Sequence, residues 1–126
     1  MTKKIIYTSN APDPIGPYSQ AVKAGGMVFI SGQVAIKPGT SEPITNNIQM
    51  ETQQVMNNLN AILMQAGLSF AHVIKTTIFL KDMNLFASVS EVYSKFFETD
   101  FPARETVAVK GLPKDVNVEI SMIAAE

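Results

Sequence analysis

The sequence predicts an α+β fold, a mixed sheet with two helices on one face, and three observations lead there. Short apolar or alternating runs with the period of a strand lie toward both ends of the chain and once in its middle. Two longer stretches between them carry apolar residues at the helical i, i+3, i+4 spacing. The 126 residues are 46% hydrophobic and 17% charged, a composition that sustains one core over 1–126 and excludes intrinsic disorder. The expected order is three strands, helix, strand, helix, two strands.

Ile5-Ile6-Tyr7 is a brief apolar run, and residues 11–17, with three prolines and a glycine, form irregular backbone. Val22 to Val28 reads as a hairpin, because Gly25-Gly26 supplies the positive φ of a tight turn. Met27 to Ile30 is an apolar strand that ends at Ser31-Gly32-Gln33, and residues 37–46 form a loop. From Ile48 the period changes: Thr52, Val55, Met56, Leu59, Ile62, Leu63 and Ala66 share one helical face, and Gly67 sits where a C-terminal cap belongs. Val73 to Leu80, rich in β-branched residues, reads as a strand. Asp82 or Asn84 can cap a second helix with the face Leu85, Phe86, Val89, Tyr93, Phe96 and Phe97, and Pro102 blocks its continuation. Glu105 to Val109 is the next strand, and residues 110–115 turn the chain. Val116, Val118, Ile120 and Met122 then face one way while Asn117, Glu119 and Ser121 face the other.

Ten basic against eleven acidic residues leave a net charge of −1, so there is no basic field to follow a phosphate backbone, and nucleic-acid binding is disfavoured. The absence of cysteine excludes disulfides, thiolate metal sites and thiol nucleophiles, and the single histidine, His72, excludes His-rich metal sites. The run at residues 5–7 is too short for a signal peptide and no stretch approaches a membrane span, so a cytoplasmic location is expected. A charged fraction of 17% lies below the ~25% of typical domains. Either partner subunits cover part of the surface, or the surface is neutral and rich in Asn, Ser and Thr.

Three residues stand out chemically. Of ten basic residues only Arg104 is arginine, placed where Phe101-Pro102-Ala103 enters a strand. A guanidinium offers paired donors to a carboxylate that lysine cannot imitate, although plain surface charge is the alternative. Glu119 sits mid-strand on the face opposite the apolar row, where an ordinary solvated glutamate would also sit. Tyr18 serves either as an aromatic plug over the sheet edge or as a functional phenol. His72, beside Ala71 and Val73, reads as a boundary residue.

The segments IGPYSQA at 15–21, SGQ at 31–33, KTTIFLKDM at 75–83, FPAR at 101–104 and LPKDVNVEI at 112–120, in that order and with family-like spacing, resemble the RidA/YjgF family of enamine/imine deaminases. The resemblance implies a chorismate-mutase-like fold and a homotrimer with sites in the clefts between subunits. It implies hydrolysis of small 2-imino acids, such as 2-iminopropanoate and 2-iminobutanoate, to 2-keto acids and ammonia, without cofactor or metal. The enamine tautomers include 2-aminoacrylate, released by pyridoxal-phosphate dehydratases. Carried onto this chain, the family's catalytic residues fall on Arg104, Glu119 and Tyr18. Substrate-binding positions fall on Arg104, Ser31, Gly32, Ser90 and Thr106. Arg104 is expected to clamp the substrate carboxylate beside backbone N–H near Gly32. Glu119 would activate water and return a proton to the amine, and Tyr18 would bond the nitrogen or close the pocket.

Where relatives commonly carry an asparagine, this chain has Ser90, whose shorter side chain has no amide, so the substrate range is expected to differ. Glu105 would compete for the guanidinium if it faced the same cleft; strand alternation points it away. Two other classes stay in view. A non-catalytic sensor of 2-keto acids would use the same Arg104 but tolerate loss of Glu119. Ribonuclease activity, attached to some relatives, has little electrostatic support here.

Overall fold

The computed structural model describes residues 2–126. Six strands, β1 (Lys4–Ile6), β2 (Ala21–Ala24), β3 (Met27–Gln33), β4 (Val73–Leu80), β5 (Ala103–Ala108) and β6 (Val118–Ala125), and two helices, α1 (Ile48–Gln65) and α2 (Phe86–Ser94), follow the expected order. The strands form one sheet in the order β1-β2-β3-β6-β4-β5. All pairings are antiparallel except β4 with β5, whose parallel alignment needs a crossover, and α2 supplies it. Among the described residues no helix is long and apolar enough to cross a membrane.

Local signals set the boundaries. Gly25 and Gly26 take φ of 59° and 76° in the β2–β3 turn. The Asn47 side chain accepts from the Met50 N–H at 2.9 Å and starts α1. At the other end Gly67 (φ 76°) donates to the Met64 carbonyl and Leu68 to the Leu63 carbonyl, a paired closure that satisfies two orphan acceptors. The second helix is shorter than its apolar period suggests. Lys95, Phe96 and Phe97 donate three residues back instead of four, so the chain tightens and leaves the α-helix after Ser94. β5 begins two residues before the expected Glu105.

Both helices pack on one face of the sheet. Val55, Met56, Leu59, Ile62 and Leu63 of α1 are fully buried against Val28 of β3, Ile78 and Leu80 of β4, and Val118, Ile120 and Met122 of β6. Among the described residues no layer covers the opposite face: register pairs Phe29 with Ile123, Thr77 with Ser121, and Phe79 with both Glu119 and Val107. Phe29 and Val107 stand 43% and 44% exposed there.

The final strand starts at Val118, later than the alternation from Val116 suggests. Lys114 and Asp115 adopt left-handed φ of 53° and 55°, and Asn117 is diverted to a buried acid. That acid is Glu51 on α1, 0% exposed, which accepts from the Asn117 backbone N–H at 2.8 Å and from its side-chain amide at 2.7 Å. Hydrogen bonds to a charged group contribute about 1.5–3 kcal/mol each. Glu51→Ala is therefore expected to cost at least about 3 kcal/mol and to lower Tm by about 10 °C in a thermal melt, with the Asn117 backbone N–H stranded and its side-chain amide left with the Thr45 carbonyl alone.

Candidate functional site

The cavity of about 930 Å³ beside β3 and β6 is lined by Tyr18, Ser31, Gly32 and Glu119, together with the 12–15 and 39–41 loops and the Pro113–Lys114 turn. Its near wall is held by Gln20, which is 2% exposed. The Gln20 amide donates to the carbonyls of Thr8 and Pro12 at 3.0 and 2.9 Å, and its oxygen accepts from the Thr8 N–H at 2.8 Å. Asn58 does the same for the opposite wall, donating at 3.1 Å to both Val34 and Ile36 carbonyls. Neither amide was legible as a site element, because apolar periodicity says nothing about polar groups beneath it.

A β-bulge aims the central residues. The β3–β6 register runs Ile30 with Met122 and then Gln33 with Ile120, so Ser31-Gly32 carries one extra residue against Ser121. Ser31 is committed: its hydroxyl donates to the Ser19 carbonyl at 2.6 Å and its N–H to the Gln20 carbonyl at 2.9 Å, leaving the oxygen as an acceptor. Gly32 admits the Glu119 side chain. A Cβ built there lies 2.8 Å from Glu119 Cδ and 3.0 Å from Cγ, closer than real side chains approach. Gly32→Ala is expected to leave Tm nearly unchanged, since the displaced group is the end of a flexible side chain. Moving that carboxylate by about an ångström can cost up to about 10²-fold in rate, so turnover should drop at least about tenfold; unchanged turnover would show that the carboxylate position is immaterial.

Among the described residues no group donates a hydrogen bond to the Glu119 carboxylate, and partial burial raises its pKa above the ordinary range. It is thus a carboxylate poised to exchange a proton, facing a cavity. Tyr18 is 52% exposed at the cavity mouth, and its hydroxyl meets no partner among the described residues.

Arg104 lies elsewhere. It pairs with Thr76 across the parallel β4–β5 ladder, and its Nη1 donates to Ser90 Oγ at 3.2 Å. The guanidinium carbon stands 5.4 Å from the Phe86 ring centre and 5.2 Å from that of Tyr93, both on α2. No carboxylate among the described residues reaches ion-pair distance of it. Glu105, its neighbour, faces away and bonds Lys75 Nζ at 3.0 Å and Thr77 Oγ1 at 3.3 Å, and the Lys75 ammonium keeps its pKa low. Thr106, on the Arg104 side, has a buried Oγ1 with no hydrogen-bond partner.

So Tyr18, Ser31, Gly32 and Glu119 gather in one place, and Arg104, Ser90 and Thr106 belong to another. Glu119 and Phe79 share the uncovered face, while Arg104 and Thr76 lie on the helix face. The two positions are three residues apart along the strands and two strands apart across them, which separates their Cα atoms by about 14 Å. Among the described residues no three His, Asp or Glu side chains cluster as a metal site.

Comparison with known proteins adds the following. A family model described as endoribonuclease L-PSP matches residues 8–126. A RutC family protein of Pyrococcus horikoshii is 53% identical, with 97% of each chain covered. The crystal structure of E. coli TdcF with bound serine superposes with a TM-score of 0.92 at 45% identity, covering 98% of both chains. RidA from an Antarctic Psychrobacter superposes with a TM-score of 0.93 at 39% identity, covering 98% of this chain and 99% of that one.

Proposed function

This chain belongs to the RidA/YjgF family, and on that premise we propose that it hydrolyses small 2-imino acids and their enamine tautomers to 2-keto acids and ammonia. The observation that carries the reading is the Glu119 carboxylate: half-buried, raised in pKa, free of donors among the described residues and set against Gly32 in a cavity. The serine bound by TdcF, a small α-amino acid, supports a ligand of that size and charge.

A small imino acid presents its carboxylate one bond from the electrophilic carbon. Arg104 and Glu119 of one protomer, about 14 Å apart on opposite faces, do not both reach such a molecule. We therefore place the site between copies of the chain in a homotrimer, with Arg104 of one subunit completing the Glu119 cavity of its neighbour. The bare sheet face bearing Phe29 and Val107 suits burial in such an assembly.

In the cleft Arg104 holds the carboxylate through its free donors. Glu119 takes a proton from water as oxygen bonds to the C=N carbon and passes it to the nitrogen, which receives the C=N electron pair. Glu119 then takes the carbinol hydroxyl proton as C=O forms and hands it to the amine, the C–N bond breaks, and ammonia leaves with the keto acid behind. Tyr18 closes the mouth.

The test is to generate 2-iminobutanoate with a pyridoxal-phosphate dehydratase and follow its decay with and without the protein. The expected result is catalytic loss of the imine by a species sedimenting as a trimer. A chain that binds pyruvate yet leaves the imine lifetime unchanged is a sensor, and a monomer at micromolar concentration removes the shared cleft.

A further inference from the structure

We infer that Tyr93 is a positioning residue for the Arg104 guanidinium, an inference that rests on the reading of Arg104 as the carboxylate clamp. An arginine side chain reaches its ligand through several freely rotating bonds, and a clamp that must grip through two parallel bonds loses affinity to that freedom. The structure restrains it through a closed circuit. Arg104 pairs backbone to backbone with Thr76. Thr76 is fully buried, and its Oγ1 accepts from the Tyr93 hydroxyl at 2.9 Å. The Tyr93 ring lies 5.2 Å from the guanidinium carbon and so returns the circuit to Arg104 itself.

Behind it, Phe97 packs on Tyr93 at 4.8 Å between ring centres and on Phe70 at 5.5 Å, so the ring is backed by the core and cannot retreat. Tyr93 is 4% exposed and does not itself face solvent or ligand. Cation–π attraction holds the guanidinium charge over the ring without a lone-pair acceptor, so it does not compete for the hydrogen bonds a carboxylate would accept. Phe86 adds a second aromatic face, and Ser90 takes one Nη1 bond. With its plane set before a ligand arrives, the fork presents the remaining donors in one orientation.

The choice of tyrosine over phenylalanine is explained by the same circuit. Burial pushes the Tyr93 phenol up in pKa, so it remains a proton donor to Thr76. The hydroxyl fixes where the ring stands, and the ring fixes the guanidinium. Helical spacing alone marks Tyr93 as core, and that reading misses its second duty.

The experiment measures pyruvate Kd, KM and kcat for 2-iminobutanoate, and Tm, in Tyr93→Leu, Tyr93→Phe and Thr76→Val, each in the native and the Arg104→Lys background. Tyr93→Leu is expected to raise pyruvate Kd and KM about tenfold, with kcat changed much less, the mark of a loosened carboxylate grip. Tyr93→Phe keeps the ring and should recover Kd to within about threefold. In the Arg104→Lys background, where no fork is left to orient, Tyr93→Leu should change Kd less than about threefold. Should Tyr93→Leu fail to fold, Thr76→Val frees the ring without removing it and should raise Kd about threefold in the native background alone. A native-like Kd in Tyr93→Leu or, where that variant does not fold, in Thr76→Val, or an equal loss in both backgrounds, overturns the positioning role while leaving the clamp intact. If Arg104→Lys itself leaves Kd and turnover unchanged, the clamp reading has failed and the positioning role falls with it.

Discussion

Arg104→Lys is expected to fold, to assemble and to lose at least a hundredfold of imine hydrolysis. The substitution keeps the charge and removes the fork. In the native chain the guanidinium meets no carboxylate among the described residues, and its only side-chain hydrogen bond goes to Ser90, so its remaining donors are available to a ligand. A lysine ammonium retains attraction for the carboxylate but loses one of two charge-assisted bonds, worth about 1.5–3 kcal/mol. It also loses angular control, and about an ångström of misplacement costs roughly 10²-fold on its own. Little else changes, since Arg104 is exposed and forms no ion pair among the described residues that the fold depends on. Melting should therefore stay within a few degrees of the native chain. A Lys variant that hydrolyses 2-iminopropanoate within about tenfold of the native rate would make Arg104 a residue of the fold rather than of the reaction.

Glu119→Gln is expected to separate catalysis from binding and from stability. Loss of a general acid–base group costs about 10²–10⁴-fold in rate. Pyruvate affinity should barely change, because the carboxylate contact is assigned to Arg104. Stability should move the other way. Burial raises the Glu119 pKa in the folded state, so its favourable contribution is present below the unfolded carboxylate pKa and is lost as pH rises through the folded value. At neutral pH the ionised, partly buried group is a cost that glutamine lacks. The variant should melt at or above the native temperature at pH 7, and the gap should close in acid. For the native chain the same shift is expected to place the acid limb of kcat/KM above the ordinary glutamate pKa of about 4.3. Native-like turnover in Glu119→Gln would assign the water activation to another group.

Much of the fold was legible because local rules sufficed. The 3.6-residue period from Ile48, the Gly67 cap and the Gly25-Gly26 turn all depend on neighbours within a few residues. Alternation in β6 likewise put Glu119 on the face away from Val118, Ile120 and Met122. Alternation gives each strand its parity but not its phase against another strand. The separation of Arg104 from Glu119 therefore needed the registers of Thr76 with Arg104 and Phe79 with Glu119. Glu51 stands three residues after Ile48 and four before Val55, squarely on the buried face, and its charge argued against the place its spacing assigned. The strand expected from Val116 failed for a similar reason, since Asn117 answers to a helix and not to the sheet. Ser90 was noticed as a departure, yet its bond to Arg104 shows that a hydroxyl reaches the guanidinium across this gap without an amide.

The placement of β6 governs the order in which this molecule can be assembled. It follows every other element in the chain, yet it stands third from one edge, between β3 and β4. Met27 meets Ala125, so one central ladder joins residues from nearly opposite ends of the sequence. Until β6 is made, the β1-β2-β3 meander and the β4-α2-β5 crossover are two separate sheets, each with an unpaired edge and an incomplete floor beneath α1. Such long-range closure is slow, since loop entropy is surrendered before the ladder rewards it. A nascent chain must therefore wait for its last strand with two sticky edges exposed, and that interval, rather than the finished sheet, is where self-association competes with folding.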